Sequence, residues 1–320
     1  MRFLRDLFAI EKKPRTGLLP VEWAVVAYTL ATLLLMVVLW TRLVDPQQML
    51  WCRFQALAMM AGLWAVYRMV PCRLTHFARA GCQMVLLGLW YPDTYEFNRL
   101  FNNLDHHFAQ AEQTIFGFQP ALVFAEKCSH PVVSELLSLG YASYYPLIAL
   151  VVLYFFFCRY REFDRAVFVI VASFFLFYVV FICLPVAGPQ YYYLAIGLDQ
   201  AAQGVFPAVG HYFEHHQESL PIPGESGGVF HQLVVDAHVA GERPTAAFPS
   251  SHVGVTVVLL WLVWHASNRR LLLLLLPFAV LMFFATFYIQ AHYAIDALAG
   301  IVAGTVIYFV CLLLYRPFQR

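Results

Sequence analysis

The chain has 320 residues, 61% of them hydrophobic and only 12% charged. A soluble domain carries about 25% charged residues, so a water-soluble enzyme is excluded and a polytopic membrane protein is expected. The net charge of +1 leaves no basic footprint for nucleic acid. Seven cysteines (Cys52, Cys72, Cys82, Cys128, Cys158, Cys183, Cys311) are scattered in or beside apolar runs. They form no CxxC and no metal-ligand spacing, which reads as membrane packing.

The N-terminal 20 residues carry Arg2, Arg5, Lys12, Lys13 and Arg15, a cluster expected to stay in the cytoplasm. The apolar stretch from Val21 to Trp40 is longer than a signal-peptide core and lacks a small-residue cleavage site, so it reads as a retained first span. Asp45-Pro46 turns the chain into a second span over 51–69. Arg68, Arg73 and Arg79 mark the next loop, and a short third span over 77–92 ends at Tyr91-Pro92-Asp93. The segment 93–133 is polar and amphipathic. Within 98–114, Leu100, Leu104, Phe108 and Ala111, with Ile115 just beyond, recur at helical spacing, as expected of a helix lying on the outer surface or packed on the bundle.

Later spans are expected over 134–158, 166–184, 250–266, 271–289 and 293–315, with a long outer loop over 190–247. That makes an all-α membrane protein of about eight spans in three parts: 1–92, 93–133 and 134–320. With this threading, fifteen of the 20 Lys and Arg fall on the cytoplasmic side, and Arg42, Arg53, Arg99, Lys127 and Arg243 fall outside. The bias puts both termini in the cytoplasm. The compact tails favour a bacterial inner membrane.

Charge counting also brings three motifs to the non-cytoplasmic face. His292 and Asp296 are four apart at a helix start, so they share a face, and the carboxylate is expected to hydrogen-bond the imidazole and orient it. Pro249-Ser250-Ser251-His252 opens another helix. A helix N-terminus with free N–H groups and serine hydroxyls attracts phosphate, and a histidine there can act as acid or base. Gly188-Pro189 introduces Tyr191, Tyr192 and Tyr193, an aromatic belt or a sugar-stacking platform; Tyr141, Tyr144 and Tyr145 carry the same ambiguity. Singly, each motif is also explained by a structural ion pair or a capped helix. In the outer loop His211 and His215 have metal-ligand spacing, but a solvated lid is the simpler reading. Gly300 and Gly304 form a GxxxG that lets the last helix approach a neighbour.

At these residues the chain resembles the type 2 phosphatidic acid phosphatase superfamily. That family pairs a Pro-Ser-Gly-His-like motif with a His-x-x-x-Asp motif after a helical hairpin. Gly188-Pro189-Gln190-Tyr191 and His292-Tyr293 bring it nearer to the branch that includes the inositol phosphorylceramide synthases. The similarity covers about 93–312, and implies that the last six spans form that family's bundle. The resemblance implies that His292 forms a phospho-histidine, Asp296 supports it and His252 is the general acid and base, with Ser250, Ser251, Gly188, Pro189 and Tyr191 around the substrate. It implies no metal and no cofactor.

Two departures bear on the substrate. Where the phosphatases carry Ser-Arg, this chain has Ala285 and Thr286, and no Lys or Arg occurs between Arg165 and Arg243. A phosphomonoester carries a charge of about −2 and a diester about −1, and each charge needs partners. A cation-poor site fits the diester, although Arg243 is placed to supply one cation. The expected reaction is transfer of a phospho-headgroup, phosphoinositol-like, from a phospholipid donor to a lipid acceptor such as ceramide. The alternative is a lipid phosphatase acting on a phosphoinositide or a polyprenyl diphosphate. A transporter or scaffold is the third reading, disfavoured because no internal repeat is visible.

Overall fold

The structure is a computed structural model that describes residues 6–128, 130–224 and 227–319. Arg2, Arg5, Glu225 and Arg320 lie outside the described residues. Among the described residues every regular element is helical. Among the described residues, five helical stretches are long and apolar enough to cross a bilayer: Pro20–Arg42, Pro46–Met69, Tyr160–Cys183, Arg269–Tyr288 and Ala294–Gln319. A sixth is the pair Pro131–Ala142 and Tyr144–Cys158, bent by 45°. The protein is an all-α integral membrane protein.

The two remaining expected spans are helical but fall short. The third resolves into Arg73–Val85 and Leu87–Asn98, broken at Leu86, and Pro92 lies within the second helix rather than ending it. Arg73–Val85 buries His76, Arg79 and Gln83 on one face, which a lipid-facing span would not tolerate unpaired. The sixth, Ser251–His265, has 15 residues and spans about 22 Å at 1.5 Å per residue, short of the ~30 Å hydrocarbon core. The bend in the Pro131–Cys158 pair has a local cause. Pro146 has no N–H to continue the ladder and crowds the carbonyl four residues back, while the Ser143 hydroxyl donates to Gly140 O at 2.6 Å.

The chain divides into two compact units. One comprises residues 6–93, 152–175 and 311–319. Its first helix, α1 (Pro20–Leu39), begins on a proline, and the Glu22 carboxylate reaches back to Leu19 N–H at 2.7 Å. Helix α2 (Pro46–Met69) is capped by Asp45, which accepts from Gln48 N–H at 2.9 Å. Leu30, Leu34, Val37, Phe54 and Met59 stand exposed on these helices, as expected of surface solvated by lipid. Inside, the charges are paired. Arg79 donates to Glu22 at 2.6 Å, Arg53 lies 2.8 Å from Asp93, and His76 bridges Asp164 and Tyr160 at 2.8 and 2.7 Å. Arg53, counted from sequence among the outside charges, and Arg79, read as marking a loop, are therefore buried pair members. Removing one partner of such a pair costs about 3–5 kcal/mol.

The second unit comprises residues 94–151 and 176–310. Following α3 (Arg73–Val85) and α4 (Leu87–Asn98), its elements are α5 (Asp105–Phe116), α6 (Pro120–Lys127), α7 (Pro131–Ala142), α8 (Tyr144–Cys158), α9 (Phe163–Cys183), α10 (Pro189–Ile196), α11 (Leu198–Ala202), α12 (Val229–Gly241), α13 (Ser251–His265), α14 (Arg269–Tyr288) and α15 (Ala294–Tyr315), with α4, α8, α9 and α15 running across the boundary. The surface helix expected over 98–114 begins at Asp105 and packs on the core. Ala109 is buried there beside Val186, Tyr193 and Tyr293, with Leu104 and Phe108 against them. The 190–247 segment carries helices of its own among the described residues. Glu135 of α7 accepts Phe230 and His231 N–H at 2.7 and 3.0 Å, satisfying the first turn of α12.

Small residues decide how α13 and α15 meet. A Cβ at Gly304 would lie 2.3 Å from Gly254 O, and one at Gly300 2.7 Å from Ser250 O. Only glycine permits that approach, so the GxxxG packs α15 against α13. Ser250 N–H then donates to Asp296 O at 3.0 Å, joining the starts of the two motif-bearing helices.

Candidate active site

His252 sits in the first turn of α13. Ser250 is the N-cap: its Oγ accepts from Val253 N–H at 3.4 Å, and the residue is fully buried. The hydroxyl that sequence reasoning offered to substrate therefore accepts the cap bond inside the core. Ser251 is half-buried, its carbonyl 3.5 Å from the Tyr144 hydroxyl. The His252 ring stacks on Tyr141 at 4.5 Å and leans on Tyr144 at 4.4 Å. These tyrosines thus wall the histidine. Their neighbour Tyr145 is the exposed one.

His292 lies in the turn between α14 and α15. Its N–H donates to Thr286 O at 3.1 Å, and Gln290 takes a φ of 65° to make the turn. Its Nδ1 lies 2.6 Å from Ala247 O. A carbonyl only accepts, so Nδ1 carries the proton and Nε2 the lone pair. Burial pushes the His292 pKa down to about 4, with the Ala247 carbonyl and the Glu242 charge opposing it. The ring is therefore neutral at pH 7. The His252 and His292 ring centroids are 5.7 Å apart at 69°, so residues forty apart in sequence come into ring contact.

Asp296 departs from the expectation. Its Oδ2 accepts from Tyr293 N–H at 2.9 Å and stays 3.9 Å from His292 Nδ1, beyond hydrogen-bond range. Asp296 stands where a carboxylate satisfies an orphan amide at the start of α15, and Ala247 O already holds the imidazole. Orientation of His292 therefore comes from a backbone carbonyl in the segment that precedes α13.

Two acids from α5 complete the frame, and sequence reasoning missed both. Asp105 is fully buried and accepts from Ala187 N–H, Gly188 N–H, Asn103 Nδ2 and the Tyr293 hydroxyl at 2.6, 2.8, 2.5 and 3.0 Å. Glu112 accepts from Ala294 N–H at 2.6 Å and from Ile295 N–H at 3.4 Å, capping α15 from outside. Burial raises Glu112 to about 7, and those two N–H bonds oppose the rise. The available signal was two acids seven apart, on one face of an amphipathic helix together with Ala109.

Gly188 adopts φ +97°, and a Cβ there would lie 2.5 Å from Ala291 O. Glycine thus lets this turn rest on the His292 loop, where Gln190 N–H donates to Gln290 O at 2.8 Å. Pro189 follows as the first residue of α10. Tyr191, Tyr192 and Tyr193 are all buried. Tyr192 donates to Pro207 O and Tyr193 to Gln119, at 2.8 and 2.6 Å. They pack the core, and neither the belt nor the platform expected from sequence is formed. Arg243 is exposed and donates to Gln217 Oε1 at 3.0 Å, so it is not drawn into the pocket. Ala285 and Thr286 are fully buried, and the Thr286 hydroxyl is spent on Phe283 O at 2.8 Å. His211 and His215 are exposed.

A family model described as the PAP2 superfamily matches residues 106–310. The chain belongs to the PAP2 superfamily. The matched span runs from α5 into α15 and includes His252, His292 and Asp296. Neither a curated protein nor a solved structure matches the chain. PAP2 superfamily proteins are generally lipid phosphatases or phosphotransferases, and lipid substrates in the bilayer suit a chain with these spans.

Near the two histidines of this PAP2 chain lies an acid. Glu242 accepts from the Tyr141 hydroxyl at 3.0 Å, from Gln190 Nε2 at 2.9 Å, and lies 2.8 Å from His238 Nδ1. Burial works to raise its pKa, but the His238 bond and charge outweigh burial, and Glu242 falls to about 2. It stays ionised, one tyrosine ring away from His252.

Proposed function

We propose that this PAP2 protein transfers a phospho-headgroup, phosphoinositol-like, from a glycerophospholipid to a lipid hydroxyl such as that of ceramide. The observation that carries the reading is the pair of histidine rings 5.7 Å apart with His292 Nδ1 held on Ala247 O. That tautomer leaves Nε2 as the nucleophile. Nε2 attacks phosphorus, the P–N bond forms, and the P–O bond to diacylglycerol breaks as His252 delivers a proton. The acceptor hydroxyl then gives its proton to His252, its oxygen bonds phosphorus, and the P–N bond breaks. Asp296, at 3.9 Å, supports the imidazolium electrostatically through the frame it builds with Tyr293.

The charge of the pocket supports a diester donor. Ala285 and Thr286 stand where a Ser-Arg pair would be, Arg243 is turned to Gln217, and both histidines feel the negative charge of the Glu242 carboxylate. A phosphomonoester of about −2 would meet that carboxylate with few counter-charges. The pocket is proposed to open on the non-cytoplasmic face, with both termini cytoplasmic, on the strength of the Lys and Arg bias.

The test is product analysis. Purified protein is incubated with phosphatidylinositol, with and without ceramide. Diacylglycerol and phosphoinositol-ceramide formed only when acceptor is present are expected. His292→Ala should abolish both, and His252→Ala should slow turnover by about 10²–10⁴. Inorganic phosphate released from monoester lipids, with no lipid-to-lipid transfer, would instead establish a phosphatase.

A further inference from the structure

The loop beside the phosphoryl pocket holds a second nucleophile arrangement. Ser219 Oγ lies 2.8 Å from His238 Nε2, and His238 Nδ1 lies 2.8 Å from Glu242 Oε2. The acid is held by the Tyr141 hydroxyl and Gln190 Nε2, and Gln190 O accepts Leu220 N–H at 2.9 Å. One residue, Gln190, therefore braces both the acid and the segment that carries the serine. His238 lies in the last turn of α12 and Glu242 is its C-cap, four residues on, so the acid reaches one ring nitrogen while the other reaches Ser219. Ser219 is half-buried and outside any helix. Nucleophile, base and orienting acid in hydrogen-bond sequence are the geometric signature of an activated serine, whatever the fold. Burial acts against a charged His238, but the Glu242 bond and charge prevail and raise its pKa above the ordinary value.

We propose that Ser219, His238 and Glu242 form a second catalytic centre that cleaves a carboxylic ester of a lipid. The substrate class follows from position. Tyr141 binds Glu242 through its hydroxyl and stacks its ring on His252. A glycerophospholipid carries ester carbonyls a few bonds from its phosphorus, so a lipid at the histidines brings an ester to the serine. Ser219 Oγ attacks the carbonyl carbon while its proton passes to His238 Nε2. The C–O bond to glycerol breaks, and the glycerol oxygen takes that proton. Water, deprotonated by the same nitrogen, then releases the fatty acid and restores the serine. Leu220 N–H is already spent on Gln190, so it gives nothing to an oxyanion. One missing donor costs about 10²–10³ in rate, and slow turnover is expected.

The experiment treats full-length protein in detergent with a fluorophosphonate reagent and maps the modified residue by peptide mass spectrometry. Ser219 should be modified in the wild type, at least about 10²-fold more slowly in His238→Ala, more slowly in Glu242→Gln, and at the wild-type rate in His292→Ala. In parallel, phospholipid with a labelled acyl chain in mixed micelles should release fatty acid in wild type and in His292→Ala, and none in Ser219→Ala. An unmodified Ser219, equal rates in His238→Ala, or modification of His292 alone would overturn the second centre. A modified serine with no fatty acid released would overturn the ester assignment. Loss of headgroup transfer leaves these readouts untouched, so the two proposals fail separately.

Discussion

Asp105→Asn probes the frame without changing its shape. In the native pocket each carboxylate oxygen takes two donors: Oδ1 accepts Gly188 N–H and the Tyr293 hydroxyl, Oδ2 accepts Ala187 N–H and Asn103 Nδ2. Asparagine replaces one oxygen with an NH2, so two donors lose their acceptor and face another donor. Hydrogen bonds to a charged acceptor contribute about 1.5–3 kcal/mol each, so the gross loss is roughly 3–6 kcal/mol. Burial raises the Asp105 pKa, against the lowering by its four donors. A neutral amide relieves that desolvation and offsets part of the loss, leaving about 2–4 kcal/mol. At about 2–4 °C per kcal/mol, thermal unfolding in detergent, followed by intrinsic fluorescence, should shift down by roughly 4–16 °C. Turnover should fall as well, because Gly188 and Tyr293 both abut the His292 turn. A melting temperature within 1 °C of wild type, with unchanged turnover, would refute the claim that α5 holds the pocket together.

Three other outcomes are expected. If the neutral His292 is the nucleophile, the acid limb of kcat/KM reports its ring, and activity is lost as pH falls through about 4; a His292 ring that titrates near 6.5 by NMR would contradict this. Glu242 has its folded pKa depressed to about 2. Its stabilising contribution is present above the unfolded carboxylate value and is lost as pH falls toward 2, so the Tm penalty of Glu242→Gln should be full at pH 7 and shrink below about pH 4.5. Gly304→Ala should force α13 and α15 apart, since its Cβ would sit 2.3 Å from Gly254 O; overpacking of this kind costs about 1–3 kcal/mol, and an unchanged Tm would show that the helices do not meet there.

Much of the fold was legible because lipid imposes a simple rule. An apolar run long enough to cross must be a helix, and the runs at 21–40, 166–184, 271–289 and 293–315 all are. The rule fails where polar side chains pair inside. Arg73–Val85 reads as a span only until Arg79 is seen to bind Glu22. Length alone also does not foresee the bend at Ser143. At the site, spacing along the chain pointed to His252 and His292, because each stands at a helix start next to an apolar run. Spacing misled for Asp296, where a shared helical face does not reveal that Ala247 O has already taken the imidazole proton.

The sequence by itself determined that this is a helical membrane protein, that its motifs lie at helix mouths, and that the region around them is poor in Lys and Arg. Composition and periodicity are local properties, and they survive without coordinates. Only the tertiary structure decided which backbone carbonyl orients His292, that Asp105 reaches Gly188 from 83 residues away and Glu112 reaches Ala294 from 182 residues away, and that Ser219, His238 and Glu242 come into line. Each of these is a hydrogen bond between segments distant in sequence or carried by a loop. Its existence depends on where close glycine packing sets the helices, which no single stretch of chain encodes.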